Sequence, residues 1–168
     1  WLTTKNELII AKISNNQFVV KDKIRIDPLV DVTITSFFQD NFLNTWIGTQ
    51  SNGLYHLKEN KGPNLVSKIY PKNGSKVNFS RISNIIQDRD NNLVVTSRGG
   101  GAILIPKELL KNNNFSNTPI NPIDLKTQKI KSIYLSRDKT LWVGSIGNGV
   151  FYQNNSGLKF TNYQIKDR

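Results

Sequence analysis

The tetrad Trp46-Ile47-Gly48-Thr49 returns as Trp142-Val143-Gly144-Ser145, in weaker form as Val94-Val95-Thr96-Ser97, and at the start of the chain as Trp1-Leu2-Thr3-Thr4. The anchors lie 45, 48 and 48 residues apart. A fixed period in this range means an array of small units, each burying its apolar faces against its neighbours. With Trp46, Val94 and Trp142 as a common origin, the match continues without gaps. Ile34, Ile82 and Ile130 precede the origin by twelve residues, Ser36, Asn84 and Ser132 by ten, and Phe37, Ile85 and Ile133 by nine. Gly53, Gly101 and Gly149 follow by seven, then Leu54, Ala102 and Val150, then Tyr55, Ile103 and Phe151. The first copy fits more loosely, with Leu8, Ile9 and Ile10 at the last three places.

Each unit reads as strands. Ile34 to Gln39, Ile82 to Gln87 and Ile130 to Leu135 are rich in β-branched and aromatic residues. A polar turn follows at 40–44, 88–92 and 136–140, where Asp and Asn bond nearby backbone and tolerate left-handed conformations. The tetrad is the second strand. A glycine turn follows, at Gly53, at Gly99-Gly100-Gly101 and at Gly147-Asn148-Gly149. Third strands are expected at Leu54 to Lys58, Ala102 to Ile105 and Val150 to Gln153. Fourth strands are expected at Leu65 to Tyr70, Leu158 to Tyr163 and, in the first copy, Gln17 to Val20. The stretch Pro106 to Lys129 is a longer excursion: Pro106 to Lys111 is expected as a short helix, and the segment around Pro119 and Pro122 as loop or edge strand. Such insertions often map to the binding face of an array.

Four antiparallel strands per unit describe a blade. The expected fold is all-β, a partial β-propeller of about three and three-quarter four-stranded antiparallel blades. It is a single domain over 1–168, with a partial blade 1 at 1–26, blade 2 at 27–76, blade 3 at 77–126 and blade 4 at 127–168. Stacked blades cover their central strands on both sides. Trp and Ile of the tetrad are thus expected to pack against opposite neighbours, and Gly48 and Gly144 to mark close approach of another segment. A β-sandwich of irregular hairpins is the alternative, and the constant register argues against it.

Ile34 to Asp40, Thr45-Trp46-Ile47-Gly48-Thr49 and Gly53-Leu54-Tyr55, with Leu141-Trp142-Val143-Gly144-Ser145 and Gly149-Val150-Phe151, resemble the two-component regulator propeller repeat. The third blade departs from that pattern, with Val94 for Trp and Thr96 for Gly. The resemblance implies the sensor region of a bacterial hybrid two-component histidine kinase. That region lies in the periplasm, outside the inner membrane, and in many members serves to detect oligosaccharides. A membrane-spanning helix, a kinase core and often a response regulator would belong to the parent protein.

A chain of 168 residues can bury a sizeable core but is short for a propeller of four to eight blades. The first copy begins at its second strand, and the chain has no Met. It is therefore expected to be a piece of a longer propeller. The remaining blades of a parent receptor, or a second copy of the chain closing a ring, would cover the open blade faces. Cys is absent, which removes thiol chemistry and thiolate metal sites. No stretch reaches the roughly 20 apolar residues of a membrane span, so any membrane contact would come through the parent protein.

The net charge is +11, from 23 Lys and Arg against 12 Asp and Glu, with the lysines spread along the chain. Such a balance attracts polyanions. No recognition helix or aromatic-basic motif points to nucleic acid, and the resemblance implies an anionic or neutral oligosaccharide as the ligand. The turn between second and third strands shares a face with the start of the innermost strand. That face would gather Gln50, Ser51, Arg98 and Asn148 with Arg81, Asn84, Lys129 and Lys131. From these the candidate ligand-binding residues are Gln50, Ser51, Arg81, Asn84, Arg98, Lys131 and Asn148.

Catalysis has little to stand on. The one histidine, His56, lies inside a strand between Tyr55 and Leu57. Asp40, Asp88, Asp90 and Asp138 all fall in the first polar turn, where turn structure accounts for them. No cofactor or metal site is expected. Arg98-Gly99-Gly100-Gly101 lacks the strand–loop–helix context of a phosphate loop and reads as a hairpin turn. The expected function is a non-catalytic extracytoplasmic sensor and ligand-recognition module. The alternatives are a protein-interaction scaffold and a carbohydrate lyase-type propeller enzyme.

Overall fold

The computed structural model describes residues 2–27, 30–57, 66–69, 79–112, 115, 121–123, 125, 129–153 and 159–163. Fifteen strands and one short helix form one three-stranded and three four-stranded antiparallel sheets. The first sheet holds β1 (Leu2–Thr3), β2 (Glu7–Ser14) and β3 (Gln17–Arg25) in sequence order. The second holds β4 (Ile34–Gln39), β5 (Thr45–Thr49), β6 (Leu54–Leu57) and β7 (Val66–Ile69). The third holds β8 (Ile82–Gln87), β9 (Leu93–Ser97), β10 (Gly101–Ile105) and, after α1 (Lys107–Asn112), β11 (Asn121–Ile123). The fourth holds β12 (Ile130–Leu135), β13 (Leu141–Ser145), β14 (Val150–Gln153) and β15 (Phe160–Tyr163). This is a partial β-propeller: consecutive meanders stacked face to face, the first without an innermost strand among the described residues.

The innermost strands match the sequence expectation residue for residue. The expected helix and the edge strand around Pro122 are both present, with Pro122 paired to Ile103. Lys58, Leu65, Tyr70, Pro119 and Leu158 lie outside the described residues. One alignment is corrected. The first copy matches the others through Glu7, Leu8 and Ile9, not Leu8, Ile9 and Ile10. Leu2 pairs with Ile9 as Ile47 pairs with Tyr55, and the Thr4 N–H bonds the Glu7 carbonyl as Thr49 bonds Gly53. The first turn is one residue shorter, and a gapless alignment cannot show that. Its last strand also runs to Arg25, beyond the expected Val20.

The tetrad works as the stacking argument requires. Ile47 joins Leu8, Ile24, Val32 and Tyr55 between blades 1 and 2. Trp46, one residue earlier, joins Ile82, Ile85, Val95 and Ile103 between blades 2 and 3. Adjacent strand residues point to opposite faces, so the blade 2 tetrad binds two neighbours at once. Blade 3 repeats the division, with Val95 toward blade 2 and Val94 packed with Val143 and Phe151 of blade 4. In each complete blade a bulge interrupts pairing of the innermost strand, between Ile34 and Ser36, Ile82 and Asn84, and Ile130 and Ser132. A bulge raises local twist, and here it leaves Thr35, Ser83 and Lys131 without a cross-strand partner. Gly48 lies opposite the bulge. A Cβ there would overlap Ser36 Oγ and stand 2.5 Å from Ile82 Cγ2 of the next blade, which is the close approach expected of it.

Candidate functional site

The array has two ends. At one end are the hairpin turns that join second and third strands, beside the starts of the innermost strands. The same backbone bond ties them in three blades: Gln50 N to the Thr33 carbonyl at 2.8 Å, Arg98 N to Arg81 at 2.9 Å and Ile146 N to Lys129 at 2.8 Å. The hairpins are closed by Thr49 and Ser145, whose hydroxyls donate to the carbonyls of Gly53 and Gly149 at 2.7 and 2.8 Å. Gly53, Gly101 and Gly149 take φ of 84°, 75° and 74°, which glycine adopts without strain. The Gly99-Gly100-Gly101 run is thus a hairpin turn.

This end receives the candidate residues. Gln50, Ser51, Arg81, Arg98 and Lys131 are exposed, and Asn84 and Asn148 are half-buried. Gln50, Arg81 and Arg98 come together directly. Arg81 accepts the Arg98 N–H through its carbonyl and donates through Nε to the Gln50 carbonyl at 3.4 Å, across the seam between blades 2 and 3. Ser51 Oγ donates to Asn52 Oδ1 within the turn. Asn84 lies deeper, paired with Thr96 beyond the bulge. Lys131 is itself the bulged residue of blade 4. Its counterparts are engaged: Thr35 Oγ1 donates to the Ile82 carbonyl at 2.7 Å, and Ser83 Oγ lies 2.9 Å from Thr96 Oγ1.

The opposite end carries the polar turns, and the aspartates work there as structural acceptors. Asp40 Oδ1 accepts the N–H groups of Phe42 and Asn44, while Oδ2 accepts Asn44 Nδ2 and Trp46 Nε1, the last at 2.9 Å. Asp88 accepts Asp90 N, Asn92 N and Asn92 Nδ2. Burial pushes the Asp88 carboxyl above its ordinary 3.8, outweighing these hydrogen bonds. In blade 4, Ser136 replaces the first aspartate and donates to Asp138. That bond, with those from Thr140, holds the Asp138 carboxyl below 3.8. Leu43, Asn91 and Lys139 occupy one turn position with φ near 65°.

His56 is buried in this end of blade 2. Its ring lies 4.7 Å from those of both Trp46 and Phe115. Asn44 Nδ2 donates to Asp40 and to the Leu110 carbonyl, so Asn44 Oδ1 is the acceptor that faces His56 Nε2 at 3.3 Å. Nε2 is therefore the donor to Asn44 Oδ1, and the ring packs as a core aromatic. Helix α1 also belongs here. Leu110 is fully buried in the core between blades 2 and 3 and its carbonyl accepts from Asn44 Nδ2, so this helix lies at the end opposite the candidate residues. Among the described residues, no group of three His, Cys, Asp or Glu is placed to hold a metal, and no helix is long and apolar enough to cross a membrane.

The sequence reading missed how charge sorts between the ends. Among the described residues, the hairpin end of blades 3 and 4 carries Arg81, Arg98, Lys129 and Lys131 and no carboxylate, while blade 2 brings Asp27 and Asp31 to its seam with blade 1; the polar-turn end mixes Asp40, Asp88, Asp90 and Asp138 with Arg89, Arg137 and Lys139. The repeat phase held that signal, since each residue's place in the unit sets its end.

The geometry defines a non-enclosed stack of propeller blades with a polar, cationic hairpin face. No protein-family model matches the chain, and no curated protein matches it. Solved structures share the fold. The extracellular domain assigned to the hybrid two component system BT4673 from B. thetaiotaomicron superposes with a TM-score of 0.69 at 16% identity, over 94% of this chain and 22% of that one. The corresponding domain of BT3049 from the same organism gives 0.63 at 16%, over 92% and 20%. A catalytically inactive histidine-to-alanine variant of virginiamycin B lyase from Staphylococcus aureus, with quinupristin, gives 0.63 at 18%, over 98% and 50%. The chain thus spans about a fifth of the two extracellular domains and half of the lyase.

Proposed function

We propose that the chain is a non-catalytic, extracytoplasmic ligand-recognition module of a two-component sensor. It would bind an oligosaccharide at the hairpin face through Gln50, Ser51, Arg81, Asn84, Arg98, Lys131 and Asn148. The observation that carries this reading is a convergence. The Trp-Ile-Gly-Thr and Leu-Trp-Val-Gly-Ser strands resemble the sensor repeat in sequence, and the fold superposes on two extracellular domains of such systems. Binding would bias how blades pack against a neighbouring element, and a kinase state with it.

The lyase neighbour supplies the competing reading, since loss of one histidine inactivates that enzyme. His56 is the sole histidine of this chain and is buried among Trp46, Phe115 and Asn44, which supports a packing role. Calorimetric titration with oligosaccharides, followed by mass spectrometry of the sugar, separates the two. The sensor reading expects binding with the sugar recovered intact, and a cleaved product overturns it. The reading also expects the encoding gene to specify a membrane-spanning helix and a kinase core. A reading frame encoding a secreted enzyme counts against it.

A second reading, an interaction module, is favoured by the outer face of blade 4. There Tyr134, Trp142, Val150 and Tyr163 are exposed, at the repeat positions where blade 2 packs Phe38, Trp46, Leu54 and Ile69 against blade 3. Blade 1 leaves Leu2, Ile13, Phe18 and Val20 exposed. A second copy laying its blade 1 on this blade 4 would repeat the internal stacking. Light scattering that gives the mass of two chains supports it, and the mass of one chain sinks it.

A further inference from the structure

We infer that the hairpin face selects an oligosaccharide bearing carboxylate or sulfate groups, held chiefly by Arg81, Arg98 and Lys131. This deepens the ligand-recognition reading and rests on it. The fold has uses for the acids at the other end: Asp40 and Asp88 each close a turn through three or more hydrogen bonds. No comparable described bonds engage Arg98 and Lys131 at this one. The side chains of Arg98 and Lys131 make none of the described hydrogen bonds or ion pairs, and Arg81 spends only Nε on the Gln50 carbonyl. At the seam between blades 1 and 2, by contrast, Arg25 forms an ion pair with Asp31 at 3.4 Å.

Uncompensated like charges on one face repel one another and oppose folding, and local costs of this kind gather where function requires them. The placement also suits a bound anion. The backbone bond between Arg98 and Arg81 makes the two arginines neighbours at this end, and the Gln50 carbonyl fixes the Nε edge of Arg81. A guanidinium with its terminal nitrogens unspent presents a planar fork that matches carboxylate or sulfate two bonds at a time. Lys131 adds a point charge one blade further on, at a bulge position where blades 2 and 3 have Thr35 and Ser83. Charges spread over successive blades match a chain of charged sugars better than one small anion.

Titration calorimetry on the whole chain tests this with galacturonate and chondroitin sulfate tetrasaccharides, neutral maltotetraose and short duplex DNA. The expected result is binding of the acidic tetrasaccharides alone, weakening steeply between about 50 and 200 mM salt as counterions compete. Arg81→Gln, Arg98→Gln and Lys131→Gln should each weaken it about tenfold, the worth of one charge-assisted bond. Arg137→Gln, at the opposite end, should leave it within about twofold. Circular dichroism confirms that each variant is folded. If maltotetraose binds as well as the acidic sugars, the charge selection is wrong while the saccharide reading stands. If no sugar binds, the saccharide reading falls and takes this inference with it. Equal loss on Arg137→Gln, or equal binding of the DNA, reduces the effect to net charge and overturns the inference.

Discussion

Trp46 and Trp142 occupy the same repeat position and have different surroundings. Trp46 is fully buried, donates to Asp40 and packs against His56 and Phe115, whereas Trp142 is 38% exposed and donates to Ser136 at 3.3 Å. Replacing Trp46 with Ala should cost about 3–5 kcal/mol in urea unfolding, and replacing Trp142 with Ala about 1 kcal/mol. Equal losses would show that blade 4's outer face is covered in solution. Leu43 holds φ at 66° with its side chain 57% exposed. The left-handed region costs an ordinary residue about 1–2 kcal/mol, while the equivalent residue of blade 3 is Asn91, of a type that tolerates it. Leu43→Asn should therefore raise stability by about 1 kcal/mol, read from the same unfolding curves; a loss would mean that the Leu43 side chain contributes packing.

Among the elements, the second strand is where blade chemistry concentrates. β5 has Gly48 because two segments converge on it, Ser36 from its own blade and the Ile82 side chain from the next. β13 has the same glycine, yet Gly144 faces only the Ser132 hydroxyl, at 2.6 Å. Gly48→Ala should therefore cost about 1–3 kcal/mol by overpacking, and Gly144→Ala clearly less, because a serine can rotate and, among the described residues, no side chain of another blade stands against it as Ile82 does against Gly48. β9 replaces this glycine with Thr96, whose hydroxyl is satisfied by Ser83. Blade 3 thus departs from the repeat with a local compensation. The turn aspartates follow the same logic. They were legible as turn residues because they recur in phase, but their hydrogen-bond partners, the Trp46 indole and the Asn44 amide, became visible only in three dimensions.

At the scale of the whole molecule, each blade is stabilised by the neighbours it touches. β5, β9 and β10 are buried along their full length, whereas β3 is exposed at all but one of its nine residues. Amide exchange should therefore be slowest in β5, β9 and β10 and fastest in β1 and β3, in proportion to local opening free energy. Uniform protection across the four sheets would contradict the stacked-array account and point to a contact that covers blade 1.

The repeat alone determined the blade, the limits of its innermost strands and the opposite allegiances of Trp46 and Ile47, because strand alternation and turn chemistry are local and recur in phase. Tertiary structure decided the rest. The bulge that frees Lys131, the shortened turn of the first copy and the placement of α1 against Asn44 arise from twist and packing between segments far apart in sequence, which no single unit encodes. The sorting of cations to the hairpin face and turn carboxylates to the opposite end falls between the two. Its information is in the repeat phase, but only stacking brings Gln50, Arg81 and Arg98 of different blades within reach of one ligand.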